Sequence, residues 1–115
     1  MKNIGEIPES VVVGSCLSLL SIIGIYAWRN NTGALQDKHG RMVRYGLRGS
    51  SDIIGILPDG RFLAIECKRE GGRIRPEQKE FIAKINKNGG VGAFVHNTDE
   101  LMAVLKAAGW EKKES

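Results

Sequence analysis

The longest apolar block comes first: residues 11–28, VVVGSCLSLLSIIGIYAW, run eighteen positions without a charge. That length reaches the range of a membrane span. Ser15, Ser18 and Ser21 make it polar for a lipid-facing helix, and the flank before it sets Lys2 against Glu6 and Glu9, with no signal-peptide n-region. Two shorter elements account for the block better. A helix opens after Ile7-Pro8, where proline suits the first turn, then a turn at Gly24 leads into a strand over Ile25-Tyr26-Ala27-Trp28. Gly14, Ser18 and Ser21 would give that helix a narrow stripe of small residues along which another helix could approach. Trp28 closes an apolar strand and is expected in the core.

The chain then turns polar through RNNTGALQDKHG, a loop by composition, and Arg41 to Leu47 reads as a short basic strand. Two apolar strands come next around Pro58-Asp59-Gly60, which predicts a hairpin. The strand over 62–67 is apolar on both faces and so belongs in the middle of a sheet. Pro76 opens a helix with Phe81, Ile82 and Ile85 at helical spacing and Gly89 as its stop. Val91 to Val95 is a further buried strand. Asn97 with Glu100 three residues later resembles a capping box, starting a helix through Leu101, Val104 and Leu105 that ends near Gly109. The order of elements predicts a small α/β sandwich, without repeats or linkers.

With 115 residues, 42% of them apolar, one domain over 1–115 is expected, and a multi-lobed enzyme is excluded. Cys16 and Cys67 sit in apolar runs without a Cys-x-x-Cys pair, so zinc ribbons, disulfide scaffolds and dithiol redox sites drop out. Each is expected to be a small buried hydrophobe. The net charge of +4 is unevenly spread. Residues 29–48 hold Arg29, Lys38, Arg41, Arg44 and Arg48 against Asp37, and residues 61–75 hold Arg61, Lys68, Arg69, Arg73 and Arg75 against Glu66 and Glu70. Clustered Arg and Lys are the footprint of a polyanion, with a solvated surface as the alternative.

The two basic stretches flank the residues with the most distinctive chemistry. In a strand, residues two apart share a face, so Glu66 and Lys68 project together beyond Phe62 and Ala64. Charges at the end of a buried strand are costly without a purpose. Asp52 precedes the partner strand and falls across the hairpin, where it could meet Glu66. Two carboxylates so placed repel unless a cation lies between them, and oxygen ligands suit Mg²⁺ or Mn²⁺. A structural ion pair is the alternative. Glu-x-Lys alone is weak: nine Glu and nine Lys predict about 0.7 matches by chance, and three occur. Glu77-Gln78-Lys79 lies on a predicted helix and Glu111-Lys112-Lys113 in a charged tail. Only Glu66-Cys67-Lys68 ends a buried strand.

Four segments together carry more information: Trp28-Arg29-Asn30-Asn31-Thr32-Gly33, Gly49-Ser50-Ser51-Asp52-Ile53-Ile54-Gly55, Phe62-Leu63-Ala64-Ile65-Glu66-Cys67-Lys68 and Arg75-Pro76-Glu77-Gln78-Lys79. In this order they resemble the VRR-NUC domain, a branch of the PD-(D/E)XK nuclease superfamily, over nearly the whole chain from about Glu9. The resemblance implies a small mixed β-sheet flanked by helices, the restriction-endonuclease-like core. It also implies that Asp52 and Glu66 are metal ligands, that Cys67 contributes its backbone carbonyl, that Lys68 is the catalytic lysine and that Gln78 supports the site. A glutamate on the first helix is matched to Glu9, with Glu6 as the other choice. Two departures stand out: Ser51 replaces the usual proline before the aspartate, and Arg75 stands where a small capping residue is common.

The activity implied by the resemblance is that of a Mg²⁺- or Mn²⁺-dependent deoxyribonuclease, expected to be cytoplasmic, in a bacterial cell or phage-infected host. Arg29, Asn30, Arg41, Arg44, Arg48, Arg69, Arg73 and Arg75 are the candidates for holding DNA, and an approach to the nucleic acid is the alternative to a core position for Trp28. Stand-alone members resemble dimeric Holliday-junction resolvases, which implies a homodimer nicking four-way junctions. Flap or nonspecific cleavage, or a silent DNA-binding module of the same fold, are the alternatives. Gly24-Ile25-Tyr26 mimics half of the GIY-YIG signature, but Tyr45-Gly46 does not complete it. His39 is expected in a surface loop and His96 at a strand end.

Overall fold

A computed structural model describes residues 7–112; Lys2, Glu6 and Lys113 lie outside the described residues. The first apolar block is two elements. Helix α1 runs Glu9–Ile22, the chain turns at Gly24 in the left-handed region (φ +82°), and strand β1 is Tyr26–Arg29. No helix is long and apolar enough to cross a membrane among the described residues. Val12, Val13, Cys16 and Leu20 form the buried side of α1. Its Gly14, Ser18 and Ser21 stripe faces outward, and a Cβ built on Gly14 would meet nothing within 4 Å.

Strand β2 (Gly33–Gln36) and strand β3 (Met42–Tyr45) pair antiparallel as a separate ribbon. The expected basic strand over 41–47 is β3, but the stretch expected to be loop contains β2. Polar composition concealed that strand because the ribbon covers no core, so its residues need not alternate with apolar ones.

Strands β4 (Ile53–Ile56) and β5 (Phe62–Cys67) form the expected hairpin, and helix α2 (Pro76–Lys87) leads to strand β6 (Val91–Val95) and helix α3 (Thr98–Ala107). The sheet order is β1-β4-β5-β6, with only β5 and β6 parallel. Strand β5 is therefore interior, as its apolar faces predict. Alternation divides the core. Ile53, Leu63, Ile65, Cys67, Val91 and Val95 pack with Leu101 and Leu105 of α3 and the buried side of α1. Ile54 and Ala64 face the other way, against Ile82, Phe81 and Ile85 of α2. At α3, Asn97 Oδ1 accepts the Glu100 N–H at 2.8 Å, while the Glu100 carboxylate reaches past the cap to the His96 N–H at 3.0 Å.

Trp28 is not in the core. It shares the α2 face of the sheet with Tyr26, Ile56 and Phe62, and all four are at least 41% exposed, because α2 lies over β5, β6 and Ile54 of β4 and leaves the β1 edge open.

Candidate active site

Register places the chemistry in a single row. One step beyond the Ile53–Ile65 pair, Asp52 falls opposite Glu66, and Glu66 in turn is opposite Phe94. On the other side, the Asn30 N–H donates to the Asp52 carbonyl at 2.7 Å, continuing the β1–β4 ladder. Asn30 and Asp52, one residue beyond β1 and β4, thus form a row with Glu66 of β5 on the α2 face at one end of the sheet. Glu9 reaches the same point from the first turn of α1. Ligand oxygens of Glu9, Asp52 and Glu66 all lie within 4.8 Å of one another.

Each carboxylate is held differently. Asp52 Oδ2 accepts the Cys67 N–H at 2.9 Å. Glu66 Oε1 accepts from Gln78 Nε2 at 3.1 Å and lies 3.9 Å from Lys68 Nζ, a charge contact rather than a hydrogen bond. Glu66 Oε2 is buried and has no partner. Burial, then the nearby Asp52 carboxylate and, more weakly, Glu9, raise the Glu66 carboxyl; Lys68 opposes them, and the balance stands at about 8. Without a cation, burial and the neighbouring carboxylates therefore favour the protonated form of Glu66. Three converging carboxylates with one orphaned buried oxygen form the donor set a hard divalent cation requires, and these residues fit one.

Lys68 is 5% exposed and projects beside Glu66, as alternation predicts. The Cys67 side chain points to the opposite face, where the Cys16 thiol and burial push its thiol upward. It stays a neutral, buried thiol, in line with the expectation for both cysteines.

The candidate DNA contacts separate into groups. Arg44, Arg48 and Arg75 line a cleft of about 300 Å³ together with Asp52, Glu66 and Gln78. Arg48 Nε lies 3.9 Å from Glu77 Oε1 at its rim. Arg41 is out on the ribbon, paired with Asp37 at 3.0 Å. Arg69 and Arg73 are exposed on the chain between β5 and α2, and Arg29 emerges on the α1 face, opposite to Asp52. Asn30 points inward: its Nδ2 donates to Ser50 Oγ at 2.7 Å and to the Ser51 carbonyl at 3.0 Å. It braces the segment carrying Asp52. The sequence held no signal for this, because the pairing of β1 with β4 joins residues about twenty positions apart. Gly49 completes that segment; its φ of +84° and an approach of 2.7 Å between a built Cβ and the Glu77 carbonyl leave room only for glycine.

The helices on both faces of a mixed sheet, with a carboxylate row and a lysine at the end of its central hairpin, define a restriction-endonuclease-like domain. The VRR-NUC domain family matches residues 15–99, and the chain belongs to that family. It carries a nuclease domain, of a superfamily that generally uses divalent metals. The match includes Asp52, Glu66, Lys68 and Gln78 but stops short of Glu9, whose place in the site rests on geometry. Neither the curated proteins nor the solved structures compared with the chain give a match.

Proposed function

We propose that the chain is a Mg²⁺- or Mn²⁺-dependent deoxyribonuclease in which Glu9, Asp52 and Glu66 hold the cation, with the Cys67 carbonyl as a further ligand. The observation that carries this is the convergence of three carboxylates within 4.8 Å around the unpartnered Glu66 Oε2. A structural ion pair explains Lys68 but not the second and third carboxylates.

A bound divalent cation would polarise the scissile phosphate and lower the pKa of the attacking water. The protein's own groups do the positioning. The Cys67 N–H fixes Asp52, and Gln78 occupies Glu66 Oε1, which leaves Oε2 to the cation. Lys68 supplies a fixed positive charge beside them, suited to orienting the water or to stabilising negative charge on the phosphate in the transition state. Arg44, Arg48 and Arg75 at the cleft hold flanking phosphates, each contributing about −0.9 to the log–log salt slope on duplex DNA.

The preferred substrate in this reading is a four-way junction, nicked by a homodimer. One site per chain supports it, since paired nicks need two copies. So do Tyr26, Trp28, Ile56 and Phe62, an exposed apolar group on the face that carries Asp52. The test is cleavage of synthetic junctions, flaps and linear duplexes with Mg²⁺ or Mn²⁺. Asp52→Ala and Lys68→Ala should each abolish cutting while DNA binding persists. An unaltered chain that cuts none of these DNAs would overturn the nuclease assignment. Equal cutting of flaps and duplexes would replace junction selectivity, and a monomer by light scattering at micromolar concentration would remove the paired-nick mechanism.

A further inference from the structure

The β2–β3 ribbon has no strand partner in the main sheet, and its residues are exposed or half-buried throughout. A two-stranded ribbon with no core beneath it is marginal on its own. Yet both of its ends are pinned. At its tip Asp37 Oδ1 accepts the N–H groups of His39 (2.8 Å) and Arg41 (2.9 Å), while Oδ2 pairs with Arg41 Nε. At its root Gly33 lies under Tyr45, where a Cβ would come within 2.5 Å of the phenol oxygen. Between these fixed ends, Leu35, Met42 and Val43 are 50–65% exposed.

Charge and position identify what covers it. Asp37 is the only carboxylate between residues 33 and 45, against Lys38, Arg41 and Arg44. Among the described residues neither Lys38 nor Arg44 has a carboxylate partner. The root is continuous with the active site, since Gly33, Ala34, Arg44 and Tyr45 line the cleft that contains Asp52 and Glu66. A two-stranded ribbon fits the major groove of B-DNA, where apolar side chains can meet thymine methyls while cations reach phosphates.

We infer that the β2–β3 ribbon is a duplex-gripping arm that lies in the major groove on one side of the scissile phosphate and makes cleavage depend on duplex in that direction. The inference rests on the nuclease assignment above and adds to it the part of the substrate that is recognised. The four residues of β2, Gly33–Gln36, at about 3.3 Å each, reach about 13 Å, or roughly four base pairs of one flank.

The test uses the full chain, with residues 35–43 replaced by Asn-Gly so that Ala34 and Arg44 stay paired across a two-residue turn. Lys38→Ala/Arg44→Ala is a second variant that leaves the ribbon whole. Binding to a linear duplex is followed by fluorescence anisotropy with Ca²⁺ as the cation, and cleavage with Mg²⁺ on duplexes shortened from either end. Both variants should bind more weakly: the double variant, which loses Lys38 and Arg44, about tenfold and with a salt slope flatter by about 2, and the shortened ribbon, which keeps Arg44, with a slope flatter by about 1. Cleavage by the unaltered chain should rise with one flank up to about four base pairs, and the shortened ribbon should erase that dependence. A variant that melts normally and keeps the original affinity and slope overturns the inference. So does a shortened ribbon that converts a dimer to a monomer by light scattering with an unchanged salt slope, which assigns the surface to a second copy. Failure of the unaltered chain to cleave, with ribbon-dependent binding intact, counts against the nuclease assignment and not the arm.

Discussion

Gln78 Nε2 donates to Glu66 Oε1 at 3.1 Å, and Gln78 Oε1 in turn accepts the Arg75 N–H at 3.0 Å. Both ends of one amide are committed, so the first turn of α2 fixes the orientation of a carboxylate on β5. Gln78→Ala should weaken Mn²⁺ binding about 10–100-fold, the usual effect of removing a group that orients a ligand. Loss of the cap should cost about 1 kcal/mol of stability as well. Calorimetric titration of Mn²⁺ beside thermal melts separates the two; an unchanged Mn²⁺ affinity would reduce Gln78 to a helix cap.

Glu66 sets the pH dependence. Its carboxyl rises from the ordinary 4.5 to about 8, chiefly through burial and then through Asp52. Between those values the folded, metal-free protein keeps a proton that the unfolded chain has released. Stability is therefore greatest below about pH 4.5 on this group's account, falls as pH rises towards 8, and levels above it. Melts in EDTA across this window should show the decline, and Glu66→Gln should flatten it. Cation binding displaces the proton, so Mn²⁺ affinity should climb over the same window. A pH-independent affinity between about 5 and 8 would contradict the protonated state of Glu66.

Asn30 links β1 to the segment before β4 through Ser50 Oγ, the Ser51 carbonyl and the ladder bond to Asp52. Asn30→Ala removes two side-chain hydrogen bonds while leaving the backbone bond. A stability loss of about 1–3 kcal/mol is expected, with weaker Mn²⁺ binding and unchanged affinity for DNA in Ca²⁺. If DNA affinity falls while Mn²⁺ binding holds, Asn30 contacts nucleic acid instead.

Ser51 occupies the position where the family commonly has proline, and its hydroxyl is buried without a partner. Removing an unsatisfied buried hydroxyl relieves its desolvation cost. Ser51→Ala should stabilise the protein by about 1 kcal/mol in denaturant melts without altering cleavage. Destabilisation would mean that the hydroxyl has a partner in solution.

The elements with a face on the core were legible in the sequence. The two-sided apolar run of β5, the Pro-Asp-Gly turn, the proline and glycine bounds of α2 and the Asn97 cap each carry their own local cause. Glu66 and Lys68 on one face followed from strand alternation, and Asp52 opposite Glu66 from the hairpin between them, since both depend on short separations. Strand β2 was hidden because no core demands a pattern from it. Trp28 was misplaced because apolarity implies burial only where another element arrives to cover it, and α2 stops short of β1.

The sequence by itself determined the interior hairpin, the pairing of Asp52 with Glu66 and a basic surround. Tertiary structure alone decided that α1 delivers Glu9 to that pair, that Asn30 faces inward as a brace, and that the ribbon opens from the rim of the cleft. The reason is physical: periodicity and turn chemistry act over a few residues, whereas each of these placements depends on packing between segments whose separation along the chain leaves no local trace.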